Sequence, residues 1–151
     1  MPFDVRADHW DSPAATVLRT AQQAEIRGIY GQDTEPGVTP SAEDIDLFLV
    51  AWDAARAVGC GGLRRLDATT GEIKRMYVVP SARGSGVADA VLAALEDAAR
   101  GFGWAHLRLE TGDRLDAAQA FYRRAGYRPI ENFGPYAGEP VSRCFERDLS
   151  R

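Results

Sequence analysis

Apolar residues recur along this chain in two periods, and the places where the period changes mark its elements. Val87, Val91, Leu95, Ala98 and Phe102 fall three or four residues apart, which is one face of a helix. Ala14, Val17, Leu18 and Ala21 repeat that spacing behind Ser12-Pro13, an N-cap followed by proline at the first helical position, and predict a helix reaching about Gly31. A third helix is expected from a cap at Asp113 or Asp116 through Ala125, with Gly126 ending it. Between these lie shorter runs rich in β-formers: Phe3 to Arg6, Asp46 to Trp52, Ala57 to Leu66, Gly71 to Val79, His106 to Thr111, Tyr127 to Ile130 and Val141 to Leu149. Tight turns at 53–56 and 67–71 make the early strands an antiparallel meander. Two long Pro- and Gly-rich stretches remain, 32–44 and 131–140. The first is expected to be a lid or binding loop with a short helix at its end. Antiparallel strands followed by β-α-β-α-β predict an α/β (α+β) fold, a mixed sheet with helices on its faces.

The junction at residues 71–102 carries the first chemical signal. A strand ends at Pro80, a loop with Arg83, Gly84, Ser85 and Gly86 follows, and a helix begins at Val87. Such a turn aims backbone N–H groups and the positive end of a helix at an anion, most naturally a phosphate. Three motifs compete for it. A P-loop needs Lys-Ser or Lys-Thr after its last glycine, where Val87-Ala88 stands. A dinucleotide fingerprint needs a third glycine where Asp89 stands, although Glu110 could serve as its ribose acid. The pattern R/Q-x-x-G-x-G/A is met by Arg83, Gly86 and Ala88.

Composition narrows the classes. A length of 151 residues predicts one domain over 1–151 with a substantial core. The net charge of −4 gives no basic footprint, so nucleic acid is not an expected partner. No apolar run reaches the roughly 20 residues of a membrane span, and the N-terminal segment has no signal-peptide core. Cys60 and Cys144 lie in strand-like stretches without metal spacing and read as small buried hydrophobes in a reducing cytoplasm. His9 and His106 have no nucleophile context, and Trp10, Trp52 and Trp104 read as core. Lys74 is the single lysine among 18 basic residues.

Three pieces in order, the strand ending V-x-P, the loop ARGSGVA, and A-x-x-F-Y-x-x-x-G-Y formed by Ala118, Phe121, Tyr122, Gly126 and Tyr127, resemble the GCN5-related N-acetyltransferases. The segments LRRLD, GEIKRMYV, LETG and NFGPYAGEP are similar to a bacterial small-molecule subgroup of that family. The resemblance implies the GNAT fold with a splayed central strand pair, acetyl-CoA as cofactor, and an amine acceptor. It implies that Arg83, Gly84, Ser85, Gly86, Val87, Ala88 and Asp89 hold the pyrophosphate. Main-chain groups of Met76, Tyr77 and Val78 would bind the pantetheine arm and the thioester carbonyl. Tyr122 would be the acid, and Glu72, six residues before Val78, the base, with Glu110 as its rival. Lys74 and Arg75 could hold a substrate carboxylate, and Tyr30 and Tyr136 could wall the acceptor cleft. Strand alternation predicts that Glu72, Lys74 and Met76 share one face while Ile73, Arg75 and Tyr77 share the other. The family often has asparagine where Leu115 stands, so that pantetheine contact is lost or made elsewhere. A non-catalytic acyl-CoA-binding regulator and a protein N-terminal or lysine acetyltransferase are the rival functions. Oligomeric state, a homodimer included, is left open.

Overall fold

In the computed structural model the described residues are 3–32 and 40–150. The strands are β1 (Asp4–Ala7), β2 (Leu47–Asp53), β3 (Arg56–Arg65), β4 (Thr70–Val78), β5 (His106–Gly112), β6 (Arg128–Ile130) and β7 (Ser142–Asp148). The helices are α1 (Pro13–Tyr30), α2 (Val87–Gly101) and α3 (Asp116–Arg124). One seven-stranded sheet runs in the order β1-β2-β3-β4-β5-β7-β6. Among the described residues only the β4–β5 pair is parallel, as the helical crossover through α2 requires. That pairing covers Thr70–Ile73 against His106–Leu109 and then stops, although both strands continue. The central pair is therefore splayed beyond Ile73.

Strand alternation divides the core. Leu49, Ala51, Ile73, Leu107, Leu109 and Phe145 pack under α2 and α3 with Val87, Val91, Leu95 and Tyr122. Phe48, Val50, Cys60 and Tyr77 pack under α1 with Trp10, Ala15 and Leu18. Ser12 caps α1, its hydroxyl accepting from the Ala15 N–H at 3.1 Å, and Gly31 ends the helix with a left-handed φ of 78°. At the other end of the sheet, Gly71 has no side chain because the Trp104 ring occupies its place: a Cβ there would lie 2.1 Å from the ring.

Three expectations meet the structure differently. The N-cap position of α3 is Leu115, with no side-chain cap, and Asp116 lies in the first turn, where its charge suits the helix dipole. The short helix at the end of the 32–44 stretch is present as a single 3₁₀ turn, Ala42–Asp44, while the lid expected over that stretch falls largely on residues 33–39, outside the described residues. The predicted face assignment of β4 fails halfway. Tyr77 pairs with Cys60 but Lys74 pairs with Gly62, so β4 carries an extra residue, and Arg75 sits there at φ 58°. A bulge of this kind shifts the alternation by one. Met76 and Val78 consequently pack with Ile73 on the α2 side, and Tyr77 turns to the α1 side.

Candidate active site

The splay opens two cavities that meet at its mouth. One, of about 460 Å³, lies between β4, β5 and α1, and its walls include Gln22, Tyr30, Glu72, Lys74, Arg75, Glu110, Arg114 and Leu115. The other, of about 380 Å³, runs past Gly84, Gly86, Val87, Ala88 and Asp89 and along α3. Met76, Tyr77, Val78, Arg83 and Tyr122 line both.

The second cavity suits a long diphosphate-bearing ligand. Gly84 (φ 79°) and Gly86 (φ 94°) adopt left-handed backbone, and a Cβ built on either meets no atom within 4 Å, so the turn faces open space. The first intrahelical bond of α2 is Ala90 N–H to the Gly86 carbonyl, which leaves the preceding first-turn N–H groups to face a ligand. Ser85 turns its hydroxyl back onto the Ala82 carbonyl. Arg83 lines the cavity, yet its guanidinium is engaged: it pairs with Glu25 of α1 at 2.7 Å and donates to the Val78 carbonyl at 3.0 Å. Where β4 has parted from β5, Gln22 donates to the Met76 carbonyl at 2.8 Å. Tyr122 is buried, and its hydroxyl has no hydrogen-bond partner among the described residues; burial pushes its pKa up from the ordinary tyrosine value.

The first cavity is polar at its floor. Glu72 is 0% exposed, with one oxygen accepting from Arg64 at 3.2 Å and the other from the Tyr136 hydroxyl at 2.6 Å. Lys74, 8% exposed, donates to the same Tyr136 oxygen at 2.8 Å and lies 3.7 Å from Glu72. Tyr136, expected as a substrate wall, is 1% exposed and is not among the residues lining either cavity. It stands behind Glu72 and Lys74 and ties the 131–140 stretch to them. Glu110 is half-buried on the cavity wall and accepts from the Ser142 hydroxyl at 2.7 Å.

Tyr30 closes one end of this cavity. Its hydroxyl donates to Asp113 at 3.0 Å and accepts from the Arg114 N–H at 2.8 Å, while the Arg114 side chain reaches back to the Ile29 carbonyl at 3.2 Å. Burial is the main cause of its raised pKa. Gly112 makes the clasp feasible, since a Cβ there would lie 2.2 Å from the Tyr30 hydroxyl. Neither cysteine lines either of these two cavities. Burial pushes the Cys60 thiol up to about 12 and the Cys144 thiol up to about 11.

The sequence reading missed Gln22, Glu25, Arg64 and Ser142. A signal existed for the first two: Gln22 and Glu25 follow Leu18 at helical spacing on the core-facing side of α1, so polar groups stand where apolar ones are expected. Arg64 and Ser142 carried no local signal.

Comparison with known proteins agrees with this geometry. The family profile for the acetyltransferase (GNAT) domain matches residues 44–129. An IAA acetyltransferase of Azospirillum brasilense is 40% identical over 103 residues, covering 68% of this chain and 67% of that protein. The structure of a provisionally assigned acyl-CoA N-acyltransferase from Klebsiella pneumoniae superposes with a TM-score of 0.84 at 30% identity, over 97% of both chains. A GNAT family acetyltransferase from Elizabethkingia anophelis, solved with acetyl-CoA bound, shares the fold at a TM-score of 0.71 and 16% identity, over 97% of both chains. The splayed β4–β5 pair, the glycine turn opening α2 and these matches together make the chain a member of the GCN5-related N-acetyltransferase family, acetyl-CoA-dependent enzymes that acetylate nitrogen.

Proposed function

We propose that the protein transfers acetyl directly from acetyl-CoA to the primary amine of a small molecule, with donor and acceptor bound at once. The observation that carries this reading is that the two cavities join at Tyr122 and Met76–Val78, so each ligand reaches the junction from its own side. Direct transfer is supported by the absence of a cysteine from both linings among the described residues. A small acceptor suits a cavity of about 460 Å³ closed at one end by the Tyr30 clasp.

When bound, acetyl-CoA supplies an acetyl group activated as a thioester. The turn from Arg83 to Asp89 holds the diphosphate through backbone N–H groups and the α2 dipole, while the Arg83–Glu25 pair fixes the wall between the cavities. A main-chain N–H of Met76, Tyr77 or Val78 is the donor to the acetyl oxygen, a contact of a kind worth about 3 kcal/mol in the transition state. Tyr122 holds the proton that the departing sulfur requires.

The acceptor ammonium must lose a proton before it attacks, and the two candidate carboxylates differ in access. Both line the cavity, but Glu72 is fully buried and bonded on both oxygens, whereas Glu110 is half-buried. Glu110 is therefore the better placed to take the proton, and Glu72 acts as a positioning residue behind Lys74 and Tyr136.

Amines incubated with acetyl-CoA while free thiol is followed test the reading. Glu110→Gln is expected to lower kcat/KM at neutral pH by roughly 100- to 10,000-fold, with part of the loss recovered at high pH, where solvent deprotonates the amine. If Glu72→Gln alone shows that pH-dependent loss, the base is Glu72. If only protein amines are acetylated, the small-molecule reading falls. Acetyl-CoA binding without transfer to any amine would indicate the regulatory module.

A further inference from the structure

We propose that Gln22 holds the acceptor nitrogen, its side-chain oxygen receiving one N–H of the amine while the acetyl group is passed; the inference rests on the transfer reading above. Gln22 stands in the third turn of α1 and lines the acceptor cavity, but not the cavity beside the glycine turn. Its Nε2 donates to the Met76 carbonyl at 2.8 Å. Met76 lines both cavities, so this bond fixes the amide at the junction where acetyl group and amine must meet. The other end of the amide is unmet: Oε1 is buried and has no hydrogen-bond partner among the described residues. A buried acceptor left in that state is destabilising until a donor reaches it. Turning the amide round brings no relief, because the oxygen would then face the Met76 carbonyl oxygen.

The free edge of β4 offers an amine little else of this kind. Val79 donates its N–H to the Val58 carbonyl of β3 at 3.0 Å, and main-chain groups alternate in direction along a strand, so those of Met76 and Val78 face the splay. Both carbonyls are already engaged, Met76 by Gln22 and Val78 by Arg83 at 3.0 Å. The N–H groups of the same edge are donors, which suit the acetyl oxygen and not an amine. The last torsion of a glutamine side chain lies in a broad well, so Oε1 follows a ligand while Nε2 keeps its bond to Met76.

An amide oxygen also suits the reaction. A primary amine is a hydrogen-bond donor both as the ammonium that enters and as the free amine that attacks. A carboxamide oxygen accepts from either form and does not take the proton itself. The proton passes to the carboxylate, the electron pair it leaves forms the bond to the thioester carbon, and the carbon–sulfur bond breaks. Held through one N–H, the nitrogen stays at the junction while another proton leaves. Satisfying the Met76 carbonyl alone would need only a donor at residue 22, and that difference can be measured.

The test separates the two ends of the amide. Gln22→Lys keeps a donor for Met76 and has no acceptor, Gln22→Glu keeps an oxygen and has no donor, and Gln22→Met has neither. Short primary alkylamines are assayed beside O-alkylhydroxylamines, whose nitrogen is uncharged at neutral pH, so that the new charge at residue 22 does not decide the result. The acetyl-CoA Kd of each protein is measured calorimetrically without acceptor. With the uncharged acceptors, Gln22→Met and Gln22→Lys are expected to lose roughly tenfold or more in kcat/KM, and Gln22→Glu about threefold or less. Every acetyl-CoA Kd is expected to stay within about twofold of wild type. Gln22→Lys near wild type, or Gln22→Glu as poor as Gln22→Met, shows that the donor to Met76 is what matters and overturns the inference. So does an unchanged Gln22→Met, or a loss matched by weaker acetyl-CoA binding. If wild type acetylates protein amines only, the small-molecule reading falls, and the same three variants assayed on that protein substrate decide the inference; transfer to no amine removes both.

Discussion

Tyr122 stands where the two cavities meet, and its environment decides what it can do. With burial as the cause, its hydroxyl keeps its proton well past the usual tyrosine range. The sign is that of a group whose pKa is raised in the fold: it remains neutral at any pH below about 10, so proton donation is available across the whole working range. Tyr122→Phe is expected to lower kcat by roughly 100- to 10,000-fold with little change in the acetyl-CoA Kd, because the lost group acts in the transition state alone. The wild-type pH–rate profile should show no falling limb below pH 9 that disappears in the variant. Such a limb would mean that the hydroxyl ionises early and that burial is not protecting it.

Among the elements, β4 decides the site. Its first four residues pair with β5, and its last three pair with neither β5 nor the alternation of the first half. The extra residue at Arg75 turns Tyr77 toward α1 and Met76 toward α2, so the strand serves two cavities with one stretch of chain. Left-handed backbone costs a non-glycine residue about 1–2 kcal/mol. Arg75→Gly removes that strain together with the guanidinium. The variant is therefore expected to melt no lower than wild type, within about 2 °C, while kcat/KM for the acceptor falls and the acetyl-CoA Kd holds. A Tm loss of more than about 4 °C, near 1 kcal/mol or more for a chain of this size, would show that the arginine serves stability rather than the cavity.

For the molecule as a whole, the splay leaves main-chain groups of the central sheet without a strand partner, and in the proposed mechanism a bound acetyl-CoA supplies one. Binding to the folded state alone stabilises by about 2.7 kcal/mol at a hundredfold excess over Kd. For 151 residues that corresponds to a Tm rise of roughly 5–10 °C with acetyl-CoA. Gly86→Val fills the open space before the turn and places a β-branched residue at φ 94°, so the ligand-induced shift should vanish whatever the variant's own Tm. ATP or NAD raising Tm where acetyl-CoA does not would overturn the cofactor assignment for this turn.

Much of what depends on neighbours along the chain was legible in the sequence. α1 and α2 follow from spacing, the Ser12 cap and the Gly31 and Gly126 stops from local chemistry, and the glycine turn before α2 from Arg83, Gly84 and Gly86, whereas the cap expected for α3 at Asp113 or Asp116 is replaced by Leu115. Together with the A-x-x-F-Y-x-x-x-G-Y pattern these carry the resemblance to the family. Tertiary structure decided the rest, because it depends on pairs far apart in sequence. The bulge at Arg75 exists only in register against Gly61, so alternation within β4 could not reveal it. Glu72 and Lys74 looked like a local strand pair until Arg64 and Tyr136 sealed them; Tyr136 arrives from 64 residues away. Glu72 ranked ahead of Glu110 as the base in the sequence, and its full burial is the reason the proposed mechanism reverses that order. A sequence specifies which groups are present and how short segments bend; which charge is desolvated, and by what, is fixed when the sheet closes.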